Sequence, residues 1–324
     1  MTQKKSLLEV KDLCKHYPIR KGLLSRIAGY VYAVDGVSFS IHEGETLGLV
    51  GESGCGKSTV GRTILKLIEP TRGEILWQGE RIDELSRSEM VPYRKEIQAV
   101  FQDPYSSLNP RMRAADIVSE PLRNFEKLSQ EAGRERVAAL FERVGLRPDQ
   151  MVRYPHEFSG GQRQRLGIAR ALSVKPKLIM CDEPVSALDV SVQAQVINLL
   201  GDLQQEFGVS YLFIAHDLAV VKHISHRIAV MYLGRIVELA ETQELFSHAA
   251  HPYTEALLSA VPIPDPKHQR KQIVLGGDVP SPINRPSGCH FHTRCPYAQK
   301  ICSSQVPKLE EISPNHFVSC HFKL

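Results

Sequence analysis

The feature that most constrains this fold is a nine-residue segment, Gly51-Glu52-Ser53-Gly54-Cys55-Gly56-Lys57-Ser58-Thr59. An apolar run over residues 46–50 precedes it and indicates a buried strand, whereas residues 60–68 indicate a helix. Strand, glycine-rich turn and helix in this order form the context of a phosphate-binding P-loop. The glycines let backbone N–H groups approach phosphate oxygens, and the helix N-terminus adds partial positive charge. We therefore expect an α/β fold that binds a nucleotide at this turn.

Most residues of the segment are expected to contact the nucleotide. Lys57 can reach the β- and γ-phosphates, and the hydroxyl of Ser58 can ligate Mg²⁺. The remaining residues expected to surround the phosphates are Gly51, Ser53, Gly54, Cys55, Gly56 and Thr59.

Length and charge exclude some classes of function. The 324 residues allow two domains, or one domain with a sizeable appendage. The formal net charge of +4 comes from scattered, balanced charges, so no nucleic-acid groove is expected. No apolar run approaches the ~20 residues of a membrane span, and residues 1–6 are not followed by a signal-peptide core. We expect a cytosolic protein, free or bound to another component.

The order of apolar runs predicts the arrangement of strands. Residues 7–47 indicate short antiparallel strands, interrupted by a basic insertion, Pro18–Tyr32. The insertion fits a surface loop over the core, or a contact with a partner or a membrane surface. Further strands are expected at residues 73–78, 99–101, 178–181 and 209–215, with helices in 113–150 and 192–207 and a hairpin at 228–238. Prolines after residue 250 place a domain boundary near 250–262.

Two acids end the apolar run Leu178–Cys181. Asp182, at the tip of the expected strand, is placed to hold the shell of Mg²⁺. Glu183, one residue further, can polarise an attacking water. With a P-loop in the same chain, this pattern indicates nucleotide hydrolysis.

A Ser-Gly-Gly turn opens the helix expected after Phe158. Its N–H groups and hydroxyl can meet an anion. Ser159 lies 23 residues before Asp182. That combination resembles the signature motif of the ATP-binding cassette (ABC) family, with Phe158 in place of the usual leucine.

The resemblance extends to other positions in the same order. It implies that Gln102 contacts Mg²⁺ and the attacking water, that Ser186–Asp189 crosses to a partner subunit, and that His216 contacts the γ-phosphate. Tyr17 is the candidate that stacks on adenine, with Tyr30 or Tyr32 as alternatives. The fold implied is a RecA-like parallel-sheet core with an antiparallel β subdomain and a helical subdomain at about residues 103–172.

The family resemblance also implies that two cassettes share each nucleotide. Ser159, Gly160, Gly161 and Gln162, together with Asp189, would act on ATP held by the P-loop of a second ATPase subunit. This chain has one P-loop, so we expect a paralogous ATPase subunit as its partner.

Three further segments are similar to ATP-binding subunits of bacterial oligopeptide and dipeptide importers. They are residues 101–111, 251–258 and 288–296. The strongest resemblance is to the F-type subunit of the dipeptide importer. It implies an ATPase coupled to peptide transport at the cytoplasmic side of the inner membrane. The expected partners are two transmembrane permeases and, indirectly, a periplasmic peptide-binding protein, with no nucleic acid. Residues 102–113 would receive a coupling helix of the permease.

Two rival functions remain open. A same-group importer would carry nickel, glutathione or haem. Less favoured is a soluble ABC ATPase of repair or translation, because such proteins usually carry two cassettes or a long coiled-coil insertion.

Four of the seven cysteines fall in the last 36 residues, namely Cys289, Cys295, Cys302 and Cys320. Their spacing fits a metal site better than a disulfide framework in a reducing compartment. Structural zinc sites usually have shorter gaps, and an iron–sulfur cluster fits about as well. Relatives in the peptide-importer family imply a [4Fe–4S] cluster, with zinc as the alternative. The flanking histidines that could substitute as ligands are His290, His292, His316 and His321.

We expect an ATP-binding domain over residues 1–250 and a proline-rich metal-binding extension over 251–324.

Overall fold

The structure, a computed structural model, describes residues 5–22, 25–103, 107–261 and 273–324. By their internal contacts the residues form two compact units. We call the first the helical unit; it comprises His42–Thr46 and Glu84–Ile214, with Lys5. The second, the P-loop unit, comprises Ser6–Ile41, Leu47–Asp83 and Ala215–Leu324.

An antiparallel sheet forms one layer of the P-loop unit. Its strand order is β2-β1-β4-β5, with β1 at Ser6–Lys21, β2 at Arg26–His42, β4 at Arg72–Trp77 and β5 at Glu80–Arg81. Leu8 pairs with Trp77 and Val10 with Ile75, and all four side chains are buried. This sheet confirms the expected antiparallel β subdomain.

The prediction of a surface loop at Pro18–Tyr32 is wrong for the described residues. Strand β1 continues to Lys21 and β2 begins at Arg26, so the described residues of the segment form the turn end of a long hairpin. The Ser25 N–H donates to the Gly22 carbonyl at 3.1 Å, and both residues adopt positive φ, which closes the turn. The β-branched and aromatic residues after Arg26 favour a strand over a loop. Leu23 and Leu24 lie outside the described residues.

The P-loop unit also contains part of a second sheet, which includes the strand before the P-loop. Strand β3 (Thr46–Val50) pairs in parallel with β9 (Arg227–Tyr232), and β10 (Arg235–Glu241) pairs antiparallel with β9. The predicted hairpin around Gly234 is confirmed.

Two strands from the C-terminal extension complete that sheet. Strand β12 (His316–Val318) adds to β10, and β11 (Glu310–Ser313) adds to β12. Residues on both sides of position 250 therefore belong to one unit, and the division at 250 stays a prediction.

Five helices belong to the P-loop unit in the described part of the chain. They are α1 (Lys57–Ile64), α7 (Leu218–Ile224), α8 (Thr242–Ser247), α9 (Pro252–Ser259) and α10 (Lys300–Ser304). Helix α7 packs so closely on β3 that a Cβ at Gly48 would lie 2.3 Å from Val221 Cγ1.

The strands of the helical unit are parallel, and two of them are fully buried. The order is β8 (Ser210–Ala215), β7 (Leu178–Asp182) and β6 (Ile97–Val100), and every residue of β7 and β8 is buried. Helix α6 (Val190–Phe207) is the crossover between β7 and β8. The α/β fold class and these strands are confirmed.

The remaining helices of this unit pack together. They are α2 (Val91–Glu96), α3 (Ala114–Phe125), α4 (Gln130–Arg143) and α5 (Gly160–Leu172), with 3₁₀ turns at Pro148–Val152 and Pro155–Glu157. Helix α3 packs against α4 and α5 through buried side chains such as Leu122, Phe141 and Leu166. Among the described residues, the helices are all too short or too polar to cross a bilayer.

Candidate functional site: a nucleotide-binding loop and a signature turn

The P-loop joins β3 to α1 and is closed around its own lysine. The side chain of Lys57 is 4% exposed, and its Nζ donates to the carbonyls of Gly51 at 2.7 Å and Glu52 at 3.0 Å. Gly56, before the helix, has a φ of 109°, and a Cβ there would lie 2.0 Å from the Ala33 carbonyl oxygen. Only glycine fits this backbone, which turns the first N–H groups of α1 toward the loop.

The other residues expected to bind phosphate surround that turn. Ser53 and Gly54 are exposed, whereas Ser58 and Thr59 are half-buried in the first turn of α1. Cys55 is buried, and burial raises the pKa of its thiol although the Lys57 ammonium opposes the shift. The neutral thiol of Cys55 is therefore suited to packing rather than to nucleophilic chemistry.

The structure brings together Gln102 and Glu183, which are 81 residues apart. The Gln102 Nε2 donates to Glu183 Oε2 at 3.0 Å, one residue beyond the buried Asp182 at the end of β7. Glu183 has a φ of 48°, which is uncommon for a non-glycine residue, and its N–H donates to the Ile214 carbonyl at 2.9 Å. No sequence signal indicated this strained backbone conformation.

The predicted signature residues form a capped helix start. The Gln162 N–H donates to Ser159 Oγ at 3.3 Å, and the Ser159 N–H donates to Gln162 Oε1 at 3.0 Å. This reciprocal pair is a capping box, and Gly160 and Gly161 follow Ser159 as the first residues of α5. Phe158 is buried, so it fills the apolar position that leucine usually takes.

Two further predicted positions also lie at element ends. Asp189 is exposed at the start of α6, and its carbonyl accepts from the Gln193 N–H at 2.8 Å. His216 is exposed directly after β8 and belongs, like Lys57, to the P-loop unit.

The three tyrosine candidates for adenine stacking differ in their surroundings. Tyr17 is half-buried on β1, with Lys15 Nζ 5.0 Å from its ring centroid. Tyr30 is 39% exposed. One face of Tyr32 is covered by the Arg285 guanidinium at 3.7 Å, so that face cannot receive a base.

A buried charge cluster that sequence reasoning missed surrounds Asp35. Its carboxylate accepts from Arg235 at 2.6 and 2.9 Å and from Arg285 at 2.5 Å, and His16 Nε2 lies 3.1 Å away. Burial alone would raise the pKa of Asp35, but the hydrogen bonds from both guanidiniums hold it well below its usual value. Cys14, His16 and Asp35 also lie close enough to share a metal ion. The two arginines already neutralise the carboxylate, so a cation is disfavoured here.

The four C-terminal cysteines line one cavity. Cys289, Cys295, Cys302 and Cys320 face it together with His251, His292 and His321. In the described part of the chain, no three of these sulfurs lie within 4.8 Å of one another. Burial raises the pKa of Cys289 to about 11.

One histidine of the cavity has an open donor position. Nδ1 of the buried His251 accepts the Tyr253 N–H at 3.0 Å, so the ring proton of the neutral form sits on Nε2. That buried nitrogen has no hydrogen-bond partner among the residues that the structure describes, and burial lowers the pKa of His251 to about 4. The expectation that His316 could act as a metal ligand is not supported, because its Nε2 lies 2.7 Å from the buried Glu238 carboxylate.

Comparison with family models finds two matches along the chain. Residues 34–186 match the ABC transporter family, and residues 237–302 match the family described as oligopeptide/dipeptide transporter, C-terminal region.

Full-length relatives agree with these matches. The oligopeptide transport ATP-binding protein AppF of Bacillus subtilis is 56% identical, covering 98% of this chain and 97% of its own. The oligopeptide transport ATP-binding protein OppF of Salmonella typhimurium is 55% identical, and the match covers 98% of this chain and 96% of OppF.

Solved structures show the same cassette fold. The CbiO1 protein of Clostridium perfringens, part of an ABC transporter complex, matches with a TM-score of 0.66 and 28% identity, over 75% of this chain and 92% of its own. The ATP-binding cassette MJ0796, a dimer with ADP and phosphate, matches with a TM-score of 0.65 and 30% identity. The match covers 72% of this chain and 98% of MJ0796. The chain therefore belongs to the ABC transporter family, as an ATP-binding protein of the oligopeptide transporter group.

Proposed function

We propose that this chain is the ATP-hydrolysing subunit of a peptide importer and that it drives uptake through partner permeases. The observation that carries the hydrolytic part is the contact between Gln102 and Glu183 beside Asp182 at the end of β7. The full-length likeness to oligopeptide transport proteins supports peptide as the cargo and does not favour nickel, glutathione, haem, or a role in repair or translation.

Each residue of the site has a proposed task. Lys57 exchanges its carbonyl partners for phosphate oxygens. Ser58, Asp182 and Gln102 would hold Mg²⁺, which would offset the negative charge of the phosphates. Glu183 accepts the proton of the attacking water, and Gln102 orients that carboxylate. His216 contacts the γ-phosphate. Tyr17 stacks on adenine, with Tyr30 and Tyr32 as alternatives, and one face of Tyr32 is covered by Arg285.

A second ATPase subunit completes each nucleotide site. The exposed Ser159, with the N–H groups of Gly160 and Gly161, is placed to meet an anion brought by another chain. Gln162 holds this turn, and Asp189 lies at an exposed helix start. The dimer formed by the MJ0796 cassette supports this arrangement. We propose a paralogous ATPase as the partner.

The permease contact is proposed at residues 102–113, of which 104–106 lie outside the described residues. Arg170 on α5 donates to the Ser107 carbonyl at 2.6 Å, so the segment is fixed to the helix that carries the signature turn. A displacement of residues 102–113 would therefore be transmitted to Ser159 through helix α5. We propose that the chain lies at the cytoplasmic face of the inner membrane and that a periplasmic binding protein delivers the peptide.

A [4Fe–4S] cluster is proposed at the four C-terminal cysteines. Such a cluster spreads four thiolates over a cube, farther apart than the ligands of one zinc ion at Zn–S distances of about 2.3 Å. The sulfurs line one cavity without any three meeting within 4.8 Å, in the described residues, which fits the cluster better than zinc. His251 lines the same cavity, and its Nε2–H has no partner in the described part of the chain, which supports an acceptor within the cavity. The four cysteines would hold the group, in a structural or redox-sensing role outside hydrolysis.

Replacing Glu183 with Gln in the assembled complex tests the function. The amide cannot accept a proton, so we expect ATP hydrolysis to fall by about 10²–10³-fold while ATP binding is retained. The exposed Glu142→Gln on the same unit is the matched control and should hydrolyse normally. Normal hydrolysis by the Glu183 variant would remove that residue from its role.

Purification of the intact complex without oxygen tests the partners and the metal. Two permeases and a second ATPase should co-purify, with about four irons and four sulfides per chain and visible absorption. Stoichiometric zinc without iron would overturn the cluster, and recovery with ribosomes or DNA would overturn the importer.

A further inference from the structure

The P-loop is fastened from outside by an arginine of the cysteine-rich segment. Arg294 donates through Nη1 to Glu52 Oε2 at 2.7 Å and through Nη2 to Glu52 Oε1 at 3.1 Å. The Arg294 side chain is only 8% exposed and the Glu52 side chain 27%, so the guanidinium is largely shielded from water and the carboxylate is half-buried. A bidentate, shielded guanidinium–carboxylate contact fixes both position and orientation. Glu52 is the second residue of the P-loop, and 242 residues separate it from Arg294.

The backbone of the same P-loop residue is held by a second remote contact. The Glu52 N–H donates to the hydroxyl oxygen of Tyr253, on α9, at 3.0 Å. The Glu52 carbonyl accepts from Lys57 Nζ. Glu52 therefore connects the phosphate-binding lysine to two residues that lie beyond position 250.

Arg294 is part of the turn that carries two of the cysteines. Its N–H donates to the Phe291 carbonyl at 3.0 Å, and the His292 N–H donates to the Cys289 carbonyl at 3.0 Å. The Cys289 N–H in turn donates to the Cys302 carbonyl at 2.8 Å. The position of Arg294 is thus set by the same backbone turn that places the thiols of Cys289 and Cys295.

A buried aromatic cluster prevents this turn from moving independently of the P-loop. The Phe291 ring lies 5.2 Å from Tyr232 and 5.3 Å from Tyr253, centroid to centroid, and all three rings are buried. Because Tyr253 also contacts Glu52, a shift of the cysteine turn would be transmitted to the loop by packing as well as by charge.

The sign of the electrostatic effect is fixed by the charges. Without Arg294, the Glu52 carboxylate would stand uncompensated beside the loop that receives three phosphates, and it would repel them. With Arg294 in place, the pair is neutral and the carboxylate only shapes the loop.

We propose that Arg294 is a positioning residue for nucleotide binding, through which the cysteine-rich segment holds the P-loop in its phosphate-receiving shape. The inference rests on the proposed role of Gly51–Thr59 as the nucleotide site. It assigns the C-terminal extension a direct effect on ATP affinity.

A double-mutant cycle tests the proposal in the Glu183→Gln background, purified as the full complex. The probe is a fluorescent ATP analogue with Mg²⁺, titrated to equilibrium. Arg294→Ala should bind about tenfold more weakly or worse, since the remaining carboxylate repels the phosphates. Arg294→Lys keeps the charge but loses the bidentate contact, so its affinity should lie between those of the reference and of Arg294→Ala. The pair Lys323–Glu310 lies elsewhere in the extension, and Lys323→Ala is the control expected to bind as the reference does.

The decisive variant is the double substitution Glu52→Gln with Arg294→Ala. It removes the uncompensated charge, and we expect its affinity to return to within about threefold of Glu52→Gln alone. If Arg294 acted independently of Glu52, the losses of affinity caused by Glu52→Gln and by Arg294→Ala would add in the double variant. That result would overturn the proposal, as would unchanged affinity in Arg294→Ala. If the reference protein itself binds no nucleotide, the proposed function falls, and this inference falls with it.

Discussion

The two turns that we propose as anion-binding sites are held in opposite ways. The P-loop depends on distant residues: Arg294 and Tyr253 hold Glu52, and the Ala33 carbonyl lies against Gly56. The signature turn is held mainly by its neighbours, because Ser159 and Gln162 cap each other within one helical turn. The P-loop is therefore sensitive to the rest of the P-loop unit, whereas the signature turn is built locally.

The largest effect is expected from adding a methyl group at Gly56. Gly56→Ala would place a Cβ 2.0 Å from the Ala33 carbonyl oxygen, at a φ of 109°. The backbone of β2 cannot move away without a large loss of stability. Gly54→Ala is the matched control, since Gly54 has a φ of 78° but open space around the added carbon. We expect Gly56→Ala to lower the free energy of unfolding by about 3 kcal/mol more than the control.

Thermal unfolding without nucleotide measures that difference. The counterpart in the signature turn is Gly160→Ala, where the nearest atom to the new Cβ would be Leu188 Cδ2 at 3.4 Å. It should unfold close to wild type. Equal losses at Gly54, Gly56 and Gly160 would contradict the difference between the two turns.

The difference between contacts with neighbouring residues and contacts with distant residues also decides what could be predicted from the sequence. The P-loop, the strand ending at Asp182 and the capped turn at Ser159 are local patterns, and the structure contains all three. The left-handed backbone of Glu183 was missed because nothing in its neighbours requires it. The contacts of Glu52 with Arg294 and of Asp35 with Arg235 were missed because pairs separated by 242 and 200 residues leave no local pattern.

The second effect concerns the charge cluster around Asp35, which ties β2 and β10 to the C-terminal extension. Asp35→Asn leaves Arg235 and Arg285 without their carboxylate, and we expect a loss of about 2–3 kcal/mol at pH 7. Asp116→Asn, in an ion pair whose partners are 52% and 54% exposed, is the control and should lose less than about 0.5 kcal/mol.

The pH dependence of the Asp35 contribution has a definite sign. The folded-state pKa lies below the usual value of 3.8, so the stabilisation is present above about pH 4 and is lost as the pH falls toward the folded pKa. Denaturant titrations of wild type and Asp35→Asn should differ by a constant amount from pH 7 to about pH 5 and converge in stronger acid. A difference that stays constant down to pH 2 would show that Asp35 acts through packing and not through its charge.

The smallest effect is expected at the signature turn, and it tests the claim that this turn is built locally. Ser159→Ala removes the cap of α5 and should destabilise by about 1 kcal/mol, whereas Ser159→Gly should cost only a few tenths. Because no remote contact depends on the Ser159 side chain among the hydrogen bonds of the described residues, faster amide exchange should be confined to the first turn of α5. Exchange that also quickened at α3 or α4 would mean that the turn, like the P-loop, is part of a wider network, and the difference between the two turns would then be one of degree.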